Sequence, residues 1–223
     1  ANRSVFAYHI YCSNDADGTP KPMVLCRDIV KKEWEAATLN VANMKVGGFL
    51  TEFGAVSDDE DSITLLELQT SQADDHFQGW SYWTYKSFDD ITTQNPATET
   101  FFFQNGSLQD AKIQALSRTY AQEIAGQPLT MSFDPSTSGF SLEYSLLAEI
   151  DYTTTFTTIF VPCELQYPKG YRVKVSPSAG VSWEETPLNS TDLPSAVLIL
   201  VSHEKSLLSS GSVIKIEISE KWI

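Results

Sequence analysis

Short apolar runs alternate with stretches of helical period in the first half of this chain, whereas the second half holds only short runs, and the change falls near Gly126 to Pro128. Ser4-Val5-Phe6-Ala7-Tyr8 predicts a strand, with His9-Ile10-Tyr11 at its exit. From Met23 to about Asn43, Val24, Ile29, Val30, Trp34, Ala37, Leu39 and Val41 recur near helical spacing among lysines and glutamates, which predicts an amphipathic helix. Gly47-Gly48-Phe49-Leu50 is short enough for a buried strand, and Thr51-Glu52-Phe53-Gly54 carries it out of the core on a carboxylate. Ser57-Asp58-Asp59-Glu60 has the form of a capping box, Ser57 as N-cap and Glu60 three residues on, opening a helix through Ile63, Leu65, Leu66 and Leu68. Its acidic run complements the helix dipole and needs no other task.

A third strand is predicted over the aromatic stretch Gln78 to Lys86, and Ser107 caps a last helix with Leu108, Ala111, Leu116, Tyr120 and Ile124 on one face, stopped by Gly126 and Pro128. Three strand-helix units in series build a parallel sheet, either small and open or part of a barrel. Beyond Pro128 come Leu129–Phe133, Phe140–Leu146, Thr157–Val161, Tyr171–Val175, Val181–Trp183, Ala196–Ser202 and Val213–Ile218. These are branched and aromatic runs separated by Pro, Gly, Ser and Asn clusters, the pattern of an antiparallel sandwich. The expected organisation is α/β plus all-β, with residues 1–127 and 128–223 as the two parts. His203 is read as a surface strand residue rather than a catalyst.

The 223 residues carry a formal charge of -14 and are 42% hydrophobic, which suits folded protein and argues against nucleic acid or adsorption to an anionic membrane. No apolar stretch reaches the length of a membrane span and no signal peptide opens the sequence, so if the protein is secreted its targeting segment lies outside these residues. Cys12 and Cys26 flank a polar loop and are the candidate disulfide in an oxidising compartment, leaving Cys163 over; no zinc spacing is present. Asn2, Asn105 and Asn189 open N-x-Ser/Thr sequons. The acidity and the sequons together point to a secreted or lysosomal protein. A calcium loop at Ser13 to Gly18 is rejected, because Ser13 would fill the first ligand position and Val24 the place of the closing Glu.

Glu52 is the residue on which the chemistry turns. A carboxylate at the C-terminal end of a parallel strand is either an ordinary surface glutamate or a nucleophile, base or ligand. His9-Ile10-Tyr11, Leu50-Thr51-Glu52-Phe53-Gly54 and Trp80-Ser81-Tyr82-Trp83, in that order, resemble the sixth, seventh and eighth barrel strands of glycoside hydrolase family 5. Within that family the likeness is to endoglycoceramidases and related glycolipid glycosidases, where a small β-sandwich follows the barrel. It covers essentially the whole chain.

The resemblance implies the last three strand-helix units of a (β/α)8 TIM barrel followed by the sandwich, and a retaining mechanism on a β-glycosidic bond without a cofactor. It makes Glu52 the nucleophile, Tyr11 the phenol that orients it, His9 a histidine of the same site, Trp83 the aromatic platform under the sugar and Lys86 a contact for sugar hydroxyls. Trp80, by contrast, is expected to be barrel packing. The substrate implied is a glycosphingolipid, cleaved to oligosaccharide and ceramide, with transient contact at a membrane surface. Alternatives are a glucosylceramide or steryl β-glucosidase, and a non-catalytic accessory protein that binds carbohydrate or lipid. The loop with Phe88, Ile91 and Phe101-Phe102-Phe103 is read either as a receiver for a lipid tail or, at the three phenylalanines, as a short buried strand. Family members hold the acid/base glutamate in an Asn-Glu pair after the fourth strand, and no Asn-Glu pair occurs in this sequence. The expected partner is therefore an N-terminal chain or segment that completes the barrel and supplies the acid. Without it the chain is expected to be inactive and poorly folded.

Overall fold

The computed structural model describes residues 4–13, 19–88, 90–188, 195–204, 209 and 211–221. The chain divides into two compact units, Ala1–Leu116 and Ser117–Ile223.

The first unit is a three-stranded parallel sheet in the order β1 (Val5–His9), β2 (Gly47–Gly54), β3 (Gly79–Trp83). Helix α1 (Met23–Met44) joins β1 to β2, and α2 (Glu60–Asp75) joins β2 to β3. In α1, Cys26, Val30, Trp34 and Ala37 are buried, successive residues three or four apart, so one stripe faces the core. Cys26, Val30 and Trp34 pack with Leu50 and Phe53 of β2 and with Leu65, Leu66 and Ala73 of α2. Trp80 of β3 packs against this cluster, its ring edge-on to Phe53 with centroids 5.5 Å apart. The N-cap of α2 is Asp59, which accepts the N–H of Ser62 at 2.9 Å. Ser57, the expected cap, instead donates to the Asp59 carboxylate and so supports the cap from outside.

The last helix of this unit is shorter than the apolar spacing predicts. After β3 come α3 (Pro96–Glu99) and α4 (Asp110–Leu116), and the chain is extended again at β4 (Tyr120–Glu123). Tyr120 pairs with Phe160, not with a helical neighbour. The same apolar positions that fit a fourth and fifth helical turn also fit an edge strand, and sheet pairing decides between them. The division between units therefore lies at Leu116/Ser117, ahead of the expected 127/128 boundary.

The second unit has two four-stranded antiparallel sheets. One has the order β4-β7-β10-β9 and the other β5-β6-β11-β8, where β5 is Gln127–Asp134, β6 Gly139–Ser145, β7 Thr157–Val161, β8 Tyr171–Ser176, β9 Val181–Leu188, β10 Ala196–His203 and β11 Val213–Glu220. A short helix, α5 (Cys163–Gln166), follows β7. All the runs read as strands from the sequence are strands, and β4 joins them. Burial alternates along the central strands, with Phe140, Leu142 and Tyr144 of β6, Ile214, Ile216 and Ile218 of β11 and Ile199 and Val201 of β10 turned inward. His203 continues the inward phase of β10 and is 8% exposed, which corrects its reading as a surface residue. Its Nε2 lies 2.6 Å from Tyr144 Oη, a bond that crosses from one sheet to the other.

Candidate active site

The parallel register of the first unit brings three strand ends together. His9 stands opposite Glu52, and the N–H of Ile10 donates to Glu52 O at 3.2 Å. On the other side Gly54 stands opposite Trp83, and Ala55 N–H donates to Trp83 O at 3.0 Å. Tyr11 Oη donates to Glu52 Oε2 at 3.1 Å, and His9 Nδ1 lies 3.2 Å from the same oxygen. Among the described residues these are the side chains bonded to Glu52.

The Tyr11 hydrogen bond, with His9 Nδ1 beside the same oxygen, fixes the direction of the carboxylate, while its 30% side-chain exposure leaves it open to an incoming molecule. Burial first, and then the neighbouring Glu52 anion, push the Tyr11 phenol above its ordinary value. Tyr11 therefore keeps its proton and remains a donor.

The strand exits are held from beneath. Trp34 Nε1 donates to Gln69 Oε1 at 2.9 Å, and Gln69 Nε2 donates to Ile10 O at 3.2 Å. Gln69 thus links α1, α2 and the residue between His9 and Tyr11 within the core. A disulfide joins Cys12 to Cys26, Cα to Cα 5.5 Å, and fastens the segment after Tyr11 to α1. Gly54 has φ +101°, and a Cβ there would run into the Tyr82 ring, so the turn that follows Glu52 requires glycine. Gln69 escaped the sequence reading. Its signal is a glutamine on the buried face of α2, in phase with Leu65, Leu66 and Ala73.

The other expected residues are placed as follows. Trp83 ends β3 at the same C-terminal end of the parallel strands as Glu52 and is partly buried, and the Trp83–Thr84 peptide is cis. Lys86 is exposed, with Nζ 5.4 Å from the centroid of the Phe88 ring. Phe101 stacks on Tyr82 at 4.9 Å, Phe102 makes an isolated bridge to Leu108 and Phe103 is exposed, so the three phenylalanines are not a buried strand. Tyr85, Phe88 and Ile91 are also exposed. Asn105 is exposed in a turn, its Oδ1 accepting from Ser107 N at 3.0 Å and Ser107 Oγ at 2.7 Å. Asn2 and Asn189 lie outside the described residues. No group of metal-ligating side chains is present among the described residues.

A second polar layer beyond β3 was also not foreseen. Lys112 is fully buried, and its Nζ donates to Thr100 O at 3.0 Å and Thr98 O at 3.4 Å. Burial holds its ammonium down to about 8, partly offset by Asp58 and Asp59.

A family model described as the glycoside hydrolase family 5 C-terminal domain matches residues 118–218. An endoglycoceramidase of Cyanea nozakii is 29% identical over 222 residues, 99% of this chain and 39% of that relative. The lactosyl-enzyme intermediate of endo-glycoceramidase II from a Rhodococcus species superposes with a TM-score of 0.63 at 19% identity, covering 100% of this chain and 43% of that one. Sterylglucosidase 1 of Cryptococcus neoformans, solved with tris, gives a TM-score of 0.65 at 12% identity, covering 98% of this chain and 37% of that one. The chain thus spans well under half the length of the proteins it matches.

Proposed function

Because this chain belongs to glycoside hydrolase family 5 and is endoglycoceramidase-like, we propose that it is the C-terminal portion of a retaining β-glycosidase that cleaves glycosphingolipids to oligosaccharide and ceramide. The observation that carries this reading is the Glu52 carboxylate, held through one oxygen by Tyr11 and His9 at the C-terminal ends of adjacent parallel strands. A Glu52 oxygen attacks the anomeric carbon as the bond from that carbon to the ceramide oxygen breaks, forming a glycosyl-enzyme. The departing oxygen takes a proton from a second carboxyl, which this reading assigns to polypeptide outside these residues, roughly 5 to 5.5 Å from the first. Water then cleaves the glycosyl ester and restores Glu52. Tyr11 stays protonated through the cycle and releases part of its hydrogen bond as the carboxylate charge is spent, while Trp83 offers its ring to the apolar face of the sugar.

Two features support a larger barrel. β1 and β3 are open edges of the sheet, and parallel sheets are covered on both faces. Here the face opposite α1 and α2 is open enough that Val5 is 56% exposed. The exposed Tyr85, Phe88, Ile91 and Phe103, in the segment after Trp83, support contact with lipid tails at a membrane surface. Secretion or residence in an acidic compartment agrees with the charge of -14 and with the exposed Asn105 sequon. The fold is shared with a sterylglucosidase, so a steryl glucoside is the competing substrate; identity over nearly the whole chain favours the glycosphingolipid.

The test is the full-length protein incubated with lactosylceramide, ganglioside and steryl glucoside, with Glu52→Gln beside it. Release of lactose or the ganglioside oligosaccharide with intact ceramide, lost in the variant, is the expected result. A 2-deoxy-2-fluoro β-lactoside should label the peptide bearing Glu52. Turnover by Glu52→Gln at the wild-type rate, or a label on another peptide, would end the assignment, and cleavage of the steryl glucoside alone would replace the substrate.

A further inference from the structure

The loops that leave β2 and β3 are joined through one buried residue. The loop after Glu52 runs through Gly54 and Ala55 to Asp58, whose Oδ1 accepts the backbone N–H of Lys112 at 3.2 Å. The side chain of the same lysine reaches the other loop, its Nζ donating to Thr100 O at 3.0 Å and to Thr98 O at 3.4 Å. These two carbonyls flank Glu99, whose own carbonyl accepts the N–H of Thr84, the residue directly after Trp83, at 2.6 Å. Two residues on, Phe101 N–H donates to Tyr85 O at 3.2 Å. The stretch from Thr98 to Phe101 is therefore laid along Thr84 and Tyr85, and Lys112 holds it there.

On its other side Trp83 is pinned by the exit of β2, where Ala55 N–H donates to its carbonyl at 3.0 Å. The backbone around Trp83 thus lies between two segments, and Lys112 is bonded into both, through Asp58 to the one and through Thr98 and Thr100 to the other. Lys112 Nζ also lies 6.0 Å from the centroid of the Tyr82 ring, which stacks on Phe101 and fills the space that a Cβ on Gly54 would need. Lys112 is fully buried, and a buried ammonium is costly unless its protons are taken. A methionine would fill a similar volume without that cost, so what the lysine contributes here is its bonds.

We propose that Lys112 is a positioning residue for the sugar platform, clamping the loop after the Glu52 strand to the segment beside Thr84 and so setting where the Trp83 indole stands relative to the Glu52 carboxylate. The proposal rests on the glycosidase reading and on Trp83 as the platform, and Lys112, being fully buried, touches no substrate itself. The competing role is purely structural: Lys112 would satisfy the carbonyls at the end of the short helix α3 with no consequence for the site.

The experiment is a double-mutant cycle in the full-length protein, with p-nitrophenyl β-lactoside as the probe and every variant assayed below its melting temperature. Lys112→Met keeps most of the side-chain length and removes the donor. Misplacing a group by about 1 Å costs on the order of 10- to 100-fold, so kcat/KM should fall by that factor in Lys112→Met. In a Trp83→Ala background the same substitution should cost at most about threefold, because the group it positions is already gone. Asp58→Ala opens the clamp at its other end and should show a smaller loss with the same dependence on Trp83; it decides the matter if Lys112→Met does not fold. Equal losses with and without Trp83 overturn the proposal. So does a normal kcat/KM in the folded variant, whatever its melting temperature, which is the mark of the structural role. If Trp83→Ala itself matches wild type, the platform assignment fails and the proposal with it. Glu52→Gln in the same assay reports on the parent reading alone: turnover at the wild-type rate ends the glycosidase reading, whereas an inactive Glu52→Gln beside a normal Lys112→Met ends only the proposal.

Discussion

Acidification should loosen the sandwich unit through His203. Its imidazole is 8% exposed, sits between the rings of Tyr144 and Tyr152 with centroids 5.7 and 5.2 Å away, and burial pushes its pKa down to about 4. In the unfolded chain an ordinary histidine titrates near 6.5. The folded state therefore resists a proton that the unfolded state accepts, so stability is complete above pH 6.5 and is lost as the pH falls from there to 4. At about 1.4 kcal/mol per pH unit, the loss approaches 3 kcal/mol. Geometry gives the same direction: Nε2 is engaged with Tyr144 Oη, and Nδ1 is buried with no partner among the described residues, so the added N–H has nothing to meet. Hydrogen exchange of the β10 amides, followed from pH 7.5 to 4 in wild type and His203→Gln, isolates the effect, because carboxylates that titrate in the same range cancel in the difference. The difference between the two proteins should be flat above pH 7 and change by about 3 kcal/mol by pH 4. Parallel curves, or an imidazole found by NMR to titrate near 6.5 in the folded protein, would refute the reasoning.

Two further outcomes follow from the layer beneath the strand exits. Gln69→Leu leaves the indole N–H of Trp34 and the carbonyl of Ile10 buried without partners and should cost about 2–5 kcal/mol, read as a drop in melting temperature, with activity falling because Ile10 separates His9 from Tyr11; a stable variant with normal activity would show that this link is dispensable. Gly54→Ala should cost about 2–4 kcal/mol, since alanine is strained at φ +101° and its methyl displaces the Tyr82 ring, and a melting curve that matches wild type would refute the requirement.

The residues that could be read from the sequence are those whose role is local. Glu52 was visible because Thr51-Glu52-Phe53-Gly54 ends an apolar run, and its neighbours His9 and Tyr11 because they end another. The strands of the second unit were visible because each alternates on its own. β4 was not, because Leu116, Tyr120 and Ile124 are four apart and read as one helical face until Tyr120 finds Phe160 across a sheet. His203 was misplaced for an avoidable reason: it lies two residues beyond Val201 and four beyond Ile199, on the inward phase of the strand. Gln69 and Lys112 depend on which elements meet, and polar residues inside helical patterns carry no mark of that in one sequence.

The polar groups of the first unit fall into two layers that differ in what their loss would do. Glu52, Tyr11 and His9 are half open to solvent, and each can be replaced without leaving a buried group unpaired, so changes there should be felt in turnover before stability. Gln69 and Lys112 are buried and hold backbone carbonyls, Ile10 O in one case and Thr98 O and Thr100 O in the other, so changes there strand those carbonyls and act on the fold first. Each buried residue braces one stretch of backbone: Gln69 the residue between His9 and Tyr11, and Lys112 the segment from Thr98 to Thr100. A substitution in the buried layer therefore alters activity only through geometry, and a smaller residual activity with an unchanged pH profile is its expected mark. A substitution in the open layer removes a proton donor or an anion, and the pH profile itself should change.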